Sequence, residues 1–217
     1  MKQLFKKKAY FLIPYLLFLF GGGLLLALRS KSQIHLYLNQ FHTSIADELF
    51  KDLTYLGEGY FVIGILILLL CIRYRFAFIY AIANSVTSLF TQGLKHIFDH
   101  DRPVRFFEGN FDLYLVPDVD MNIYYSFPSG HTTSAFTIYF TLALFATNKY
   151  VKTGLFVLAL LIGYSRVYLS QHFFEDIYVG SIIGTSFSFI IYHYLNRSNW
   201  LNNKIWPDKH LLHAVKK

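Results

Sequence analysis

The chain has 217 residues, of which 54% are hydrophobic, 19% aromatic and only 15% charged, against about 25% charged in soluble domains. That balance excludes an ordinary soluble domain. The formal net charge of +7 does not imply nucleic-acid binding, because the basic residues flank apolar runs instead of lining one face.

No low-complexity stretch or fixed-period repeat divides the sequence, so residues 1–217 read as a single domain. From the N-terminus, Lys2, Lys6, Lys7 and Lys8 precede an apolar run from Ala9 to Leu28. A bilayer core takes roughly 20 residues, and the end of this run has no small-x-small cleavage site. It is expected to be an uncleaved first span. Next, Ile34, Leu38, Phe41, Ile45, Leu49 and Leu53 recur at steps of three and four, which predicts a helix with one apolar stripe lying in the outer interface.

Further runs at about 54–72, 76–94, 131–148, 153–169 and 177–195 predict five more spans. The second needs its apolar part, Tyr60 to Ile72, extended back through Leu53, Thr54, Tyr55 and Leu56 to cross. Its one cysteine, Cys71, has no intramolecular partner and reads as a buried bystander. Asn84, Ser88, Thr91 and Lys95 share one face of the third span and are expected to serve helix packing. Gly180 and Gly184 form a small-xxx-small pair in the sixth. The fold class is all-α: a polytopic membrane protein with a six-helix transmembrane bundle and an interfacial helix between spans one and two.

Six spans place both termini and the turns at 73–75 and 149–152 on one side, together with 13 of the 20 basic residues. The positive-inside rule makes that side cytoplasmic. Trp200 and Trp206, just past the last span, fit an aromatic belt there. The expected location is a bacterial inner membrane.

Three polar clusters fall on the opposite, periplasmic face: Lys95-x6-Arg102-Pro103; Tyr125-Ser126-Phe127-Pro128-Ser129-Gly130-His131-Thr132; and Ser165-Arg166-x5-His172-x3-Asp176. In order and spacing they resemble the signature motifs of the type 2 phosphatidic acid phosphatase superfamily. That superfamily includes lipid phosphatases, glucose-6-phosphatase and soluble vanadium haloperoxidases. Two small departures are Ser170-Gln171, where a Gly is common two residues before the His, and Val104-Arg105, where Arg-Pro often follows.

The chemistry asks for these residue types independently. A phosphomonoester carries about −1.5 to −2 charge near neutral pH, and phosphoryl transfer gains most from positioning and fixed positive charge. Lys95, Arg102 and Arg166 can supply that charge; any one alone would read as a snorkelling helix-end cation. Ser129 and Gly130, at the start of span four, can bind phosphate through a helix N-terminus, although alone they would read as an ordinary cap. His172 and Asp176 have the spacing that places two side chains on one helix face, so Asp176 can orient the ring of His172 for attack on phosphorus. Glu175, one position off, is a weaker orienter. His131 remains to protonate the leaving alkoxide and activate water.

His96 and His100, beside Asp99 and Asp101, could hold a metal, but a solvated loop explains them. No metal or cofactor is expected, in line with the resembling phosphatases. The expected function is hydrolysis of a phosphomonoester or pyrophosphate of a membrane lipid through a phosphohistidine. Phosphatidylglycerophosphate, phosphatidic acid, undecaprenyl pyrophosphate and a lipid A phosphate all fit, and the loop from about 104 to 127 is expected to shape the choice. The partners are the lipid substrate and the bilayer, with no nucleic acid. The alternatives are a lipid phosphotransferase using the same intermediate and a non-catalytic six-helix transporter or scaffold.

Overall fold

A computed structural model describes residues 2–202, 209 and 211, and among them there is no strand. In chain order the helices are α1 (Lys2–Leu28), α2 (Lys31–Leu38), α3 (Ser44–Tyr55), α4 (Gly59–Ile72), α5 (Tyr74–Phe98), α6 (Pro103–Phe107), α7 (Gly130–Phe145), α8 (Lys149–Tyr168), α9 (Phe174–Arg197) and α10 (Asn199–Asn202). The six apolar runs fall on α1, the α3–α4 pair, α5, α7, α8 and α9. The Trp200 side chain, Trp206 and the final lysines lie outside the described residues.

Two expectations change at their boundaries. The stripe between the first two spans is not one helix but two, α2 and α3, separated where Asn39 ends the first and Thr43 caps the second by accepting from the Ala46 amide at 3.2 Å. Its residues also diverge: Ile34 is buried, whereas Ile45 and Leu49 are exposed. The second apolar run is likewise broken, since α3 and α4 meet at 56° across residues 56–58. Partners inside the bundle hold that break. Arg166 Nη1 donates to Thr54 Oγ1 (2.5 Å) and the Tyr139 hydroxyl to the Leu56 carbonyl (3.2 Å).

Among the described residues, three helices are long and apolar enough by themselves to cross a membrane: α1 over Ala9–Leu28, α8, and α9. The bent α3–α4 pair qualifies jointly. α5 has 25 residues but carries polar side chains along its length, and α7 has 16, about 24 Å at 1.5 Å per residue.

α7 is the hub and is buried along most of its length against α5, α8 and α9. Two of its interior threonines are satisfied locally, Thr133 Oγ1 donating to the Ser129 carbonyl (2.9 Å) and Thr137 Oγ1 to the Thr133 carbonyl (2.8 Å), whereas the buried Thr141 Oγ1 has no protein partner. The α9 glycines admit the close approach expected of them. A Cβ on Gly184 would lie 2.5 Å from the Thr133 carbonyl oxygen, and one on Gly180 2.9 Å from that of Ser129. This tight contact sets the start of α9 beside the start of α7. α1 is fastened through aromatic packing, with Phe11 4.8 Å from Phe140 and 5.5 Å from Phe156 between ring centroids. Leu17 and Phe20 face outward, as lipid-facing side chains do.

Candidate active site

The third cluster is built by the turn between α8 and α9. The Arg166 carbonyl accepts from the amides of both Gln171 (2.9 Å) and His172 (3.0 Å), curling the chain back on itself. The curl puts Ser170 at φ +52°, a left-handed conformation that non-glycine residues adopt rarely and at a cost. This is the position where the resembling family often has Gly. Here the serine hydroxyl is tied in, lying 3.2 Å from His35 Nε2 and accepting from Asn39 Nδ2 at 3.3 Å. Burial pushes His35 down to about 4, so its ring is neutral. The next residue, Gln171, bridges two loops, since its Oε1 accepts from Arg102 Nη1 at 3.0 Å and its Nε2 donates to the Asp120 carbonyl at 3.0 Å.

His172 and Asp176 meet, but not along a helix face. His172 precedes α9, and Asp176 in the first turn folds back over the helix start, where its Oδ2 accepts from the Phe173 amide (2.9 Å) and faces His172 Nδ1 (3.3 Å). Both side chains are 1% exposed. A third group completes the arrangement: Ser126 Oγ donates to the same Oδ2 at 2.5 Å and lies 3.4 Å from His172 Nδ1. Burial first, then the charges of Arg102, Arg166 and Lys95, hold the His172 imidazole well below its ordinary range. The ring is therefore neutral near pH 7. With Nδ1–H turned to a carboxylate that can only accept, its lone pair sits on Nε2.

The three expected cations converge on this ring. Lys95 Nζ donates to the Tyr125 carbonyl (2.5 Å), and Arg102 Nε to the Tyr124 carbonyl (2.8 Å). Arg166 spends Nη1 on Thr54, while its buried Nε has no protein partner, a donor available to an anion. Ser129 is the α7 cap, its Oγ accepting from the Thr132 amide (3.4 Å) and hydroxyl (2.9 Å), and its own amide donates to the Asp176 carbonyl. Its hydroxyl proton stays available. Gly130 opens α7 beside the Lys95 side chain.

His131 stands apart from His172 in character. Its side chain is 29% exposed and its Nε2 lies 3.4 Å from Glu58 Oε1. Lys95, Arg102, Gly130, His131 and His172 line one cavity of about 680 Å³. The cavity continues along α5 past Thr91 and Ser88 to Asn84, about 16 Å from Lys95 at 1.5 Å per residue. The polar stripe of α5 thus lines this cavity, where sequence reasoning expected helix packing.

Four participants have no role that their sequence context announces. Ser126 lies inside the second motif, and a hydroxyl in the segment leading to Ser129 is the available signal. Gln171 bordered a motif as a departure. Thr54 and Glu58 lie far from all three clusters, and only the α3–α4 break brings them in. Among the other candidates, Glu175 faces Lys31 (3.3 Å), not His172. His96 packs on Tyr125 and His100 on Phe127.

Residues 74–200 match the PAP2 superfamily. The chain belongs to that family. Among curated relatives, the lipid A 4'-phosphatase of Porphyromonas gingivalis is 36% identical over 83 residues, which is 36% of this chain and 34% of the relative; the chain thus spans about a third of that protein. Among solved structures, Aquifex aeolicus LpxE superposes with a TM-score of 0.68 at 31% identity, over 75% of this chain and 94% of that one. The transmembrane PAP2-type phosphatidylglycerolphosphate phosphatase of Bacillus subtilis superposes with a TM-score of 0.65 over 90% of this chain and 99% of that one, at 21% identity, a likeness of fold. With its apolar helices, the protein is an integral membrane protein of the PAP2 fold.

Proposed function

We propose that this protein hydrolyses a phosphomonoester or pyrophosphate of a membrane lipid through a phosphohistidine on His172. The observation that carries the reading is a buried, neutral His172 whose Nδ1 is held by Asp176 and whose ring shares one cavity with Lys95 and Arg102 and also feels the charge of the buried Arg166. Nε2 attacks phosphorus as the bond to the lipid oxygen breaks. Asp176 stabilises the cationic ring, and the three cations with Ser129 and the α7 N-terminus at Gly130 take the equatorial oxygens. His131 protonates the leaving alkoxide and then takes a proton from the water that releases phosphate. No metal enters this scheme.

Six spans, cytoplasmic termini and a site on the outer face of the inner membrane belong to the same proposal. A reporter fused after Lys217 should read as cytoplasmic, and an exported signal would overturn the orientation. The named activity of the curated relative, a lipid A 4'-phosphatase, points to phosphorylated membrane lipids as the substrate class. The test is phosphate release by the purified protein from phosphatidylglycerophosphate, phosphatidic acid, undecaprenyl pyrophosphate and lipid A, with and without a chelator. Release unaffected by the chelator is expected. Phosphate passed to a lipid acceptor would favour a phosphotransferase, and activity restored only by a divalent metal would refute the scheme.

A further inference from the structure

The α3–α4 break is pressed against the catalytic helix. A Cβ on Gly57 would lie 2.9 Å from Ile162 Cγ2 and 3.1 Å from the carbonyl oxygen of His131 itself, so glycine is what lets the bend seat there. On one side of the bend, Thr54 takes a hydrogen bond from Arg166. On the other, Glu58 stands at the N-cap of α4 but gives its helix no side-chain cap. Its carboxylate instead reaches into the cavity and faces His131 Nε2 at 3.4 Å. The same carboxylate accepts from the hydroxyl of Tyr60 in the first turn of α4, so Glu58 caps no amide of its helix and is held between Tyr60 and His131.

We infer that Glu58 is the positioning residue for His131, holding Nε2–H so that the ring exchanges its working proton at Nδ1. The inference rests on the phosphatase reading above and adds a second carboxylate–histidine pair to it. In the first half-reaction the His131 imidazolium gives its Nδ1 proton to the lipid oxygen as the P–O bond breaks and the N–P bond to His172 forms. In the second, water forms the new P–O bond and passes a proton to the neutral Nδ1, while the N–P electron pair returns to His172. Throughout, the Glu58 carboxylate supports the cationic form of the ring. The charged and titratable groups that face His131 otherwise comprise Arg166, Arg102, Lys95 and His172; among the described residues Glu58 is the one carboxylate within reach of its ring.

The test uses the full chain in detergent with p-nitrophenyl phosphate, whose leaving group needs little protonation. Glu58→Gln should retain the nitrophenol burst, which also shows that the site is folded, while dephosphorylation slows about 10- to 100-fold, the worth of a hydrogen bond to a charged group. Without the carboxylate the His131 ring becomes less basic, so the acid limb of dephosphorylation should move to lower pH. Glu58→Asp should restore part of the rate. An unchanged dephosphorylation rate, a lost burst, or a raised KM with kcat retained, which would mark Glu58 as a substrate contact, each overturns the inference. A burst that survives His172→Ala would instead overturn the phosphohistidine reading, whatever Glu58 does.

Discussion

The two histidines of the site occupy opposite environments. His172 is sealed, 1% exposed and pinned at Nδ1 by Asp176 with Ser126 alongside. His131 is 29% exposed, faces the cavity and has a single longer contact, to Glu58. The difference fits the two roles proposed for them. A nucleophile works best with its lone pair fixed and its ring desolvated, because reorganisation at the moment of attack adds to the barrier. An acid that must serve first a lipid oxygen and then water needs access to both, and so stays at the open wall. The surrounding fold repeats the contrast: the His172 side rests on the tight α7–α9 contact at Gly180 and Gly184, whereas the His131 side is walled by the bent α3–α4 pair.

Substitutions break this contrast to different degrees. The largest effect is expected from His172→Ala, which removes the nucleophile and should abolish phosphate release in the same lipid assay. His131→Ala should slow turnover of a lipid phosphate about 10²- to 10⁴-fold, the usual worth of a general acid, with a smaller loss of the first step for p-nitrophenyl phosphate. Ser126→Ala leaves the Asp176 contact to His172 and the Phe173 amide in place. Loss of one hydrogen bond to a charged acceptor should reduce kcat about 10-fold, with KM little changed.

The last effect leaves the rate alone and concerns stability, at the turn that carries His172. The His35 pKa is about 4 in the folded protein against 6.5 for an ordinary imidazole. Between pH 6.5 and 4 the unfolded chain therefore binds a proton that the folded chain does not. Stability from this residue is full above pH 6.5 and falls as pH drops towards 4, at up to about 1.4 kcal/mol per pH unit. Thermal unfolding of His35→Gln in detergent should depend less on pH across that window than the wild type. Equal pH dependence would show that His35 is not the titrating group.

The sequence made the helices and the reacting side chains legible for separate reasons. Apolar runs such as Ala9–Leu28 define helices by length and composition, and the motifs picked out Lys95, Arg102, His131, Arg166 and Asp176, which the structure gathers around His172. What periodicity could not supply was where a helix stops for a tertiary reason. The break after Tyr55 depends on Arg166 reaching Thr54 and on Gly57 seating against His131, contacts with partners about a hundred residues away in sequence. The split at Asn39 is similar, since its side chain is drawn off to Tyr114, accepting from the amide (2.8 Å) and donating to the carbonyl (2.9 Å). The spacing of His172 and Asp176 led to the right pair through an incomplete geometry, because a first-turn carboxylate folding back over a helix start also joins residues four apart. Ser170 is the converse case. A departure from the resembling motif, it takes the left-handed turn and secures it with side-chain hydrogen bonds.

The most direct measurement is the location of the phosphate in the trapped intermediate. The His131→Ala protein, incubated with p-nitrophenyl phosphate, quenched in alkali and mapped by mass spectrometry, should carry phosphate on His172. That phosphate should be lost on acid treatment and be absent when His172→Ala is added. Phosphate on Ser126, Ser129 or another residue, or an adduct that persists in the double variant, would contradict His172 as the nucleophile.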